Sequence, residues 1–117
     1  HFGISRISQA GAIAAVQDQA WVADVKTQVI KARKRIREIA EANGLTALPS
    51  ATNFMAVDCG RDGAFARAIV DGLLQHGIFI RMPGIAPLNR CIRVSCGREE
   101  ELEKLASALP KVLSMLR

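Results

Sequence analysis

Two arginines, Arg81 and Arg93, are the residues whose type and setting most clearly indicate chemistry. Each lies alone in an apolar run, within residues 78–82 (IFIRM) and 91–95 (CIRVS), and has no acidic neighbour. A guanidinium stays charged at any workable pH and presents a planar set of donors, so an arginine on a half-buried strand needs an anion to face. That anion is either a carboxylate of the fold, such as Asp58, or the carboxylate or phosphate of a ligand. A further structural alternative is that the side chain extends its charged end into water.

Other reactive side chains have structural interpretations. The three cysteines, Cys59, Cys91 and Cys96, form an odd set without a Cys-x-x-Cys spacing, which predicts reduced packing thiols and neither a disulfide nor a metal site. Cys91 and Cys96 would also point to opposite faces of one strand. His76 stands at the end of a helical pattern, where a C-terminal cap is favoured over an acid or base.

The net charge of +5 raises nucleic-acid binding as an alternative function. The basic residues crowd residues 26–37, where valines and isoleucines recur at steps of three and four, so we interpret them as the solvated side of an amphipathic helix. The chain has no tyrosine and only four phenylalanines, and stacking platforms for bases are therefore scarce. We expect no nucleic-acid partner; affinity that falls steeply with salt would indicate one.

The length of 117 residues, of which 50% are hydrophobic, suits a single domain. The apolar runs are far shorter than the roughly 18 residues of a membrane span, and residues 1–6 lack the pattern of a signal peptide. These features predict a cytoplasmic protein without a membrane partner.

The elements that must position the arginines follow from periodicity and from turn residues. The pattern predicts, in order, helices over residues 7–20 and 21–43, a strand over 52–58, a helix over 62–76, strands over 78–82 and 91–95, and a helix from residue 99 onward. Asp62 and Gly77 bound the third helix. The alanine-rich first helix is expected to pack closely on another element.

This order predicts an α+β domain with a short three-stranded mixed sheet of order 1-3-2, covered by helices and preceded by a long helix. A helical crossover joins the first two strands, which should run parallel, and the third fits antiparallel between them. Arg81 and Arg93 then lie on neighbouring strands. Strand alternation places Cys91, Arg93 and Ser95 on one face.

Four blocks of the sequence resemble, in order and spacing, the C-terminal part of histidinol-phosphate aminotransferases and related class I/II pyridoxal-phosphate enzymes of fold type I. The blocks are residues 2–12 (FGISRISQAGA), 52–54 (TNF), 77–81 (GIFIR) and 91–97 (CIRVSCG). The resemblance covers nearly the whole chain but only the last third of such an enzyme. It implies that residues 1–117 are the small C-terminal domain, with 1–44 as helical lead-in and connecting helix and 45–117 as the sheet-containing core.

The resemblance also implies roles for single residues. Arg93 corresponds to the arginine that grips the substrate α-carboxylate, and Arg81 to one that helps bind the phosphate or distal end of the substrate. Asn53 belongs to a family-typical Asn-Phe pair, which we assign to the shape of the domain. The sequence departs from the commoner pattern at Cys96 and Arg98, and we assign neither a function.

The implied enzyme is a cytoplasmic homodimer of amino-acid biosynthesis. It transfers an amino group between an amino acid, or a histidinol phosphate-like amino alcohol phosphate, and a 2-oxo acid such as 2-oxoglutarate. Its pyridoxal phosphate needs a lysine that forms a Schiff base, whereas all five lysines here lie in helix patterns. No catalytic or cofactor-binding residue is expected in this chain, which should be inactive alone. A free-standing anion- or metabolite-binding module remains an alternative.

Overall fold

The computed structural model describes residues 3–116. His1, Phe2 and Arg117 lie outside the described residues, so the first residue of the FGIS block has no structural account. The described elements are the helices α1 (Arg6–Gln17), α2 (Gln19–Ala42), α3 (Gly63–Gln75) and α4 (Glu99–Met115), the strands β1 (Thr46–Ala47), β2 (Phe54–Asp58) and β3 (Cys91–Ser95), and a 3-10 turn over Leu88–Arg90.

Local capping groups set the helix ends. The Asp62 carboxylate accepts a hydrogen bond from the Phe65 N–H at 2.9 Å, and the His76 N–H donates to the Leu73 carbonyl at 3.0 Å. The predicted caps of α3 are therefore confirmed, and Gly77 follows with a φ of 73°. Helix α1 ends three residues and α2 begins two residues before the predicted boundary, because Asp18 caps α2 by accepting from the Trp21 N–H at 3.0 Å.

The core lies between one face of the sheet and the helices α2, α3 and α4. The strands contribute Met55, Val57, Ile92 and Val94, all at most 5% exposed. The predicted apolar face of α4 is confirmed, since its buried residues include Leu102, Leu105, Leu109 and Val112. Burial of this cluster fixes which way β2 and β3 face, because strand side chains alternate.

The sheet has the order β1-β2-β3, and both pairs are antiparallel. The α+β class and the short three-stranded sheet are confirmed, but the sheet is not mixed. Strand β1, Thr46–Ala47, pairs with β2 and completes the three strands. The sequence pattern did not predict it. The predicted strand over 78–82 forms only one antiparallel bridge, from Arg81 to Arg93, so β3 still lies between β2 and the Arg81 segment.

Proline explains why the pairing of the Arg81 segment with β3 does not continue beyond Arg81. Hydrogen-bonded positions alternate along an antiparallel ladder, so residue 83 would be the next to pair with β3 after Arg81. Pro83 has no N–H to donate and ends the ladder there. Pro49 follows β1 in the same way, after the Leu48 N–H has donated to the Ala56 carbonyl at 2.9 Å.

Helix α1 buries none of its side chains against residues 3–116. Ile7, Ile13 and Val16 are each at least 60% exposed. The prediction that this helix packs closely on another element therefore finds no partner in the described part of the chain. Among these helices, none is both long enough and apolar enough to cross a membrane.

Candidate functional site: the open face of the sheet

One face of the sheet is covered by helices, and the other, here called the open face, carries both predicted site residues. Cross-strand partners share a face, so the pairs Phe54–Ser95, Ala56–Arg93 and Asp58–Cys91 define the open face. Arg81 joins it through its bridge to Arg93. The predicted grouping of Cys91, Arg93 and Ser95 is confirmed by this register.

Arg81 and Arg93 lie directly opposite each other. The Arg93 N–H donates to the Arg81 carbonyl at 2.6 Å, and the Arg81 N–H returns a longer bond of 3.4 Å to the Arg93 carbonyl. Cα atoms of such a hydrogen-bonded pair are about 5.5 Å apart and their side chains leave the sheet on the same side. The structure therefore brings the two predicted site residues together as a like-charged pair.

Each of these guanidinium groups has a phenylalanine ring for a neighbour. The Arg93 Cζ atom lies over the Phe54 ring, 5.1 Å from its centroid. The Arg81 Cζ atom lies 6.0 Å from the centroid of Phe79, at the outer limit of a cation–π contact. Arg93 is half-buried and Arg81 is exposed, so Arg93 is the better held of the two.

Asp58 is already engaged by another arginine. Arg90 Nε donates to Asp58 Oδ1 at 2.9 Å, and its Nη2 donates to Oδ2 at 2.6 Å. These bonds, together with one from the Gly60 N–H, lower the pKa of the Asp58 carboxyl below its usual range. Within residues 3–116 neither Arg81 nor Arg93 forms an ion pair, so the suggested Asp58 partnership is wrong.

Sequence reasoning missed Arg90 as the partner of Asp58. The pair follows from the register of β2 and β3, because Cys91 lies opposite Asp58 and Arg90 directly precedes Cys91. Without the register, Asp58 could be assigned equally well to any arginine of the last third of the chain.

The other predicted residues take packing or backbone roles. Cys59 lies in the core, and burial raises the pKa of its thiol to about 11. Cys91 is buried on the open face and Cys96 is half-buried; burial raises the pKa of both thiols. The Asn53 carbonyl accepts from the Cys96 N–H at 2.8 Å, which extends the pairing of β2 with β3 by one residue.

Comparison with known families identifies this arrangement. Residues 1–109 match the family model described as aminotransferase class I and II. The chain belongs to this family. The match spans the open face, with both arginines, and most of the helical layer behind it.

This member of the family is similar to proteins named histidinol-phosphate aminotransferase. It is 35% identical over 113 residues to histidinol-phosphate aminotransferase 2 of Gluconobacter oxydans, covering 97% of this chain and 31% of that protein. It is 31% identical to the Bacillus subtilis histidinol-phosphate aminotransferase over 112 residues, covering 96% and 30%. The chain thus spans about a third of the length of the curated relatives it matches.

A solved structure gives the same result for the fold. The crystal structure of histidinol-phosphate aminotransferase from Sinorhizobium meliloti in complex with pyridoxal-5'-phosphate matches with a TM-score of 0.95 and 57% identity. The match covers 100% of this chain and 32% of that one. A decarboxylase from Sulfurospirillum multivorans shares the fold at 21% identity and a TM-score of 0.72.

Proposed function

We propose that this chain is the small, substrate-binding domain of a pyridoxal-phosphate-dependent aminotransferase of the histidinol-phosphate type. In this proposal residues 1–117 form one domain, with 1–44 as helical lead-in and 45–117 as the sheet-containing core. The relatives support it, because those named for this activity match nearly the whole chain. The complete enzyme is proposed to be a cytoplasmic homodimer.

The observation that carries the proposal is the opposed pair of Arg81 and Arg93. Like charges directly opposite each other destabilise a sheet, and the nearest strand carboxylate, Asp58, is held by Arg90. An anion from outside the fold relieves the repulsion between the two guanidinium groups. Carboxylates and phosphates suit this role because a planar guanidinium binds them through two parallel hydrogen bonds.

The two arginines are proposed to divide the work of binding. Arg93, half-buried in the centre of the described strands, orients the α-carboxylate of an amino acid or 2-oxo acid. Arg81, exposed at the edge, binds the phosphate of histidinol phosphate or the distal carboxylate of an acceptor such as 2-oxoglutarate. Both act by binding and orienting, because a guanidinium does not exchange protons at working pH.

The cofactor is proposed to be held by a part of the enzyme other than this chain. When bound, pyridoxal phosphate supplies the electron sink for amino-group transfer, and it is attached through a lysine. The five lysines of the sequence lie on α2 and α4 and are all exposed. None lies on the open face, so the residues of this chain do not fit the role of the cofactor lysine.

Substitution of Arg93 in the full-length enzyme tests the substrate-binding role. Arg93→Lys keeps the charge but loses the bidentate geometry, so KM for every amino donor should rise about 10- to 100-fold, the equivalent of one charged hydrogen bond. Arg61→Lys, on the surface before α3, is the control and should leave KM unchanged. Unchanged kinetics of Arg93→Lys would remove Arg93 from the site.

A labelling experiment tests the assignment of the cofactor. The isolated chain is incubated with pyridoxal phosphate, reduced with borohydride and mapped by mass spectrometry. We expect scattered substoichiometric labelling of exposed lysines. A stoichiometric adduct at one lysine would refute the proposal that the cofactor lysine lies elsewhere.

A free-standing anion-binding module makes a different prediction for the same chain. As an isolated chain without the cofactor, it would bind inorganic phosphate or 2-oxoglutarate tightly. Calorimetric titration with each anion distinguishes it from an aminotransferase domain, whose anion site is completed by the rest of the enzyme.

A further inference from the structure

The position of Phe54 relative to Arg93 is specific. Phe54 lies opposite Ser95, and Ala56 lies opposite Arg93, so Phe54 and Arg93 are diagonal neighbours across β2 and β3. Diagonal neighbours are within reach of each other when one side chain is aromatic and the other is long. The small side chain of Ala56 leaves the direct cross-strand space to the arginine stem.

Phe54 is exposed where a phenylalanine would be expected to fill the core. Its neighbours Met55 and Val57 are 1% and 2% exposed, whereas Phe54 is 37% exposed on the other face. Only four phenylalanines occur in the chain. The covered part of the ring therefore lies outside the hydrophobic core, on the face where the Arg93 Cζ atom is 5.1 Å from the ring centroid.

The backbone at Phe54 is anchored on the side from which the chain enters β2. The hydroxyls of Ser50 and Thr52 donate to the Phe54 carbonyl at 2.6 and 3.1 Å. The preceding carbonyl, of Asn53, accepts from the Cys96 N–H on the extension of β3. These bonds fix the ring's attachment point relative to the strand that carries Arg93.

A ring and a carboxylate hold an arginine in chemically different ways. A carboxylate orients the guanidinium but occupies its N–H donors, as Asp58 does with Arg90. The face of a ring attracts a guanidinium through the ring's quadrupole and offers no carboxylate-like acceptor, so the N–H donors stay available. An arginine held by a ring keeps its capacity to bind an anion.

We propose that Phe54 is a positioning residue, whose ring holds the Arg93 guanidinium in place while leaving its donors free for the substrate carboxylate. That the ligand is a substrate carboxylate rests on the proposed function. The role of the ring is additional to it, because Arg93 can bind a carboxylate with or without a platform.

The test uses the full-length enzyme with 2-oxoglutarate as the varied substrate. Phe54→Leu removes the ring but keeps an apolar side chain, and KM should rise about three- to fivefold with kcat unchanged, the worth of an exposed cation–π contact. Phe54→Tyr restores the ring and should restore KM. Phe54→Ile, with a strand-favouring residue, replaces Phe54→Leu if that variant folds poorly.

Phe65→Leu is the matched control. Phe65 also lies under an arginine, with Arg61 Cζ 4.2 Å from its centroid, but on α3 and packed against the core. It loses the same kind of contact and some stability, and should leave KM unchanged. An equal rise in KM for Phe65→Leu and Phe54→Leu would overturn the proposal.

A double variant with Arg93→Lys shows whether the Phe54 ring acts on KM through Arg93 or independently of it. If the ring acts through Arg93, Phe54→Leu should add nothing to the KM of Arg93→Lys. Additive effects, or failure of Phe54→Tyr to restore KM, would overturn the positioning role. A raised KM for Arg93→Lys together with a normal KM for Phe54→Leu would also overturn the positioning role, but Arg93 would remain in the site. A normal KM for Arg93→Lys would instead refute the proposed function.

Discussion

Replacement of Arg81 by glutamine should stabilise the free protein. Arg81 faces Arg93 across a backbone hydrogen-bonded pair, and neither has an ion-pair partner in residues 3–116. Like charges directly opposite each other in a sheet are destabilising, and cross-strand pairs are worth roughly 0.2–1 kcal/mol, so we take the repulsion as about 0.6 kcal/mol. The contact of Arg81 with Phe79, 6.0 Å from the centroid and exposed, offsets only a small part of this.

Urea unfolding at two salt concentrations measures the effect. With a net gain of about 0.4 kcal/mol and a urea slope of about 1.3 kcal/mol/M, the midpoint should rise by about 0.3 M in low salt. The gain should vanish at about 1 M salt, where the Debye length is about 3 Å. Arg67→Gln, an exposed arginine on α3, is the control and should show no stabilisation.

Phosphate should reverse the order of stability. A ligand at ten times its Kd adds about 1.4 kcal/mol to a protein that binds it, so the complete wild-type enzyme should overtake its Arg81→Gln variant in phosphate, whereas the isolated chain, whose anion site is incomplete, should show no such reversal. Destabilisation by Arg81→Gln of more than about 1 kcal/mol without phosphate would refute this reasoning, because a loss of that size indicates a buried or paired charge.

Three further predictions concern the fold that holds the site. The lowered Asp58 pKa means that its pair with Arg90 stabilises the fold above the unfolded pKa of about 3.9 and loses this effect as pH falls through the folded pKa. Asp58→Asn should therefore lower the urea midpoint at about pH 7 and much less at about pH 2; equal losses would contradict the pair's role. A Cβ on Gly72 would lie 2.6 Å from Val112 Cγ1, so Gly72→Ala should destabilise by about 1–2 kcal/mol after a helix-propensity gain of about 1. In a double-mutant cycle, Gly72→Ala combined with Val112→Ala should lower the free energy of unfolding by less than the sum of the two single losses. Additive losses would exclude the clash. Cys59, with its pKa of about 11 and 4% exposure, should resist thiol labelling at about pH 8 until urea unfolds the chain, and rapid native labelling would contradict its burial.

Features set by neighbouring residues could be predicted from the sequence. The caps of α3 depend on Asp62, His76 and Gly77, which act within one turn of the helix. The face shared by Cys91, Arg93 and Ser95 depends only on strand alternation. These parts of the fold and of the candidate site needed no knowledge of distant contacts.

Features set by register between distant segments could not be predicted. Strand β1 has two residues, too few for a periodic signal, and exists because β2 offers it an edge. The segment around Arg81 has a strand-like pattern but pairs once, and Pro83 removes the donor that would follow. The partner of Asp58 likewise depends on which residue of β3 lies opposite it.

The open face shows a conflict between stability and ligand binding. Asp58 shares this face with Arg93 but lies opposite Cys91. Arg90 binds Asp58 through two nitrogens, which neutralises the one carboxylate of β2 that could compete with a ligand anion. Phenylalanine rings accompany Arg81 and Arg93, and a ring leaves their donors available. Under the proposed function, repulsion between the two guanidinium groups opposes folding only while the site is free, because a bound substrate anion would remove it.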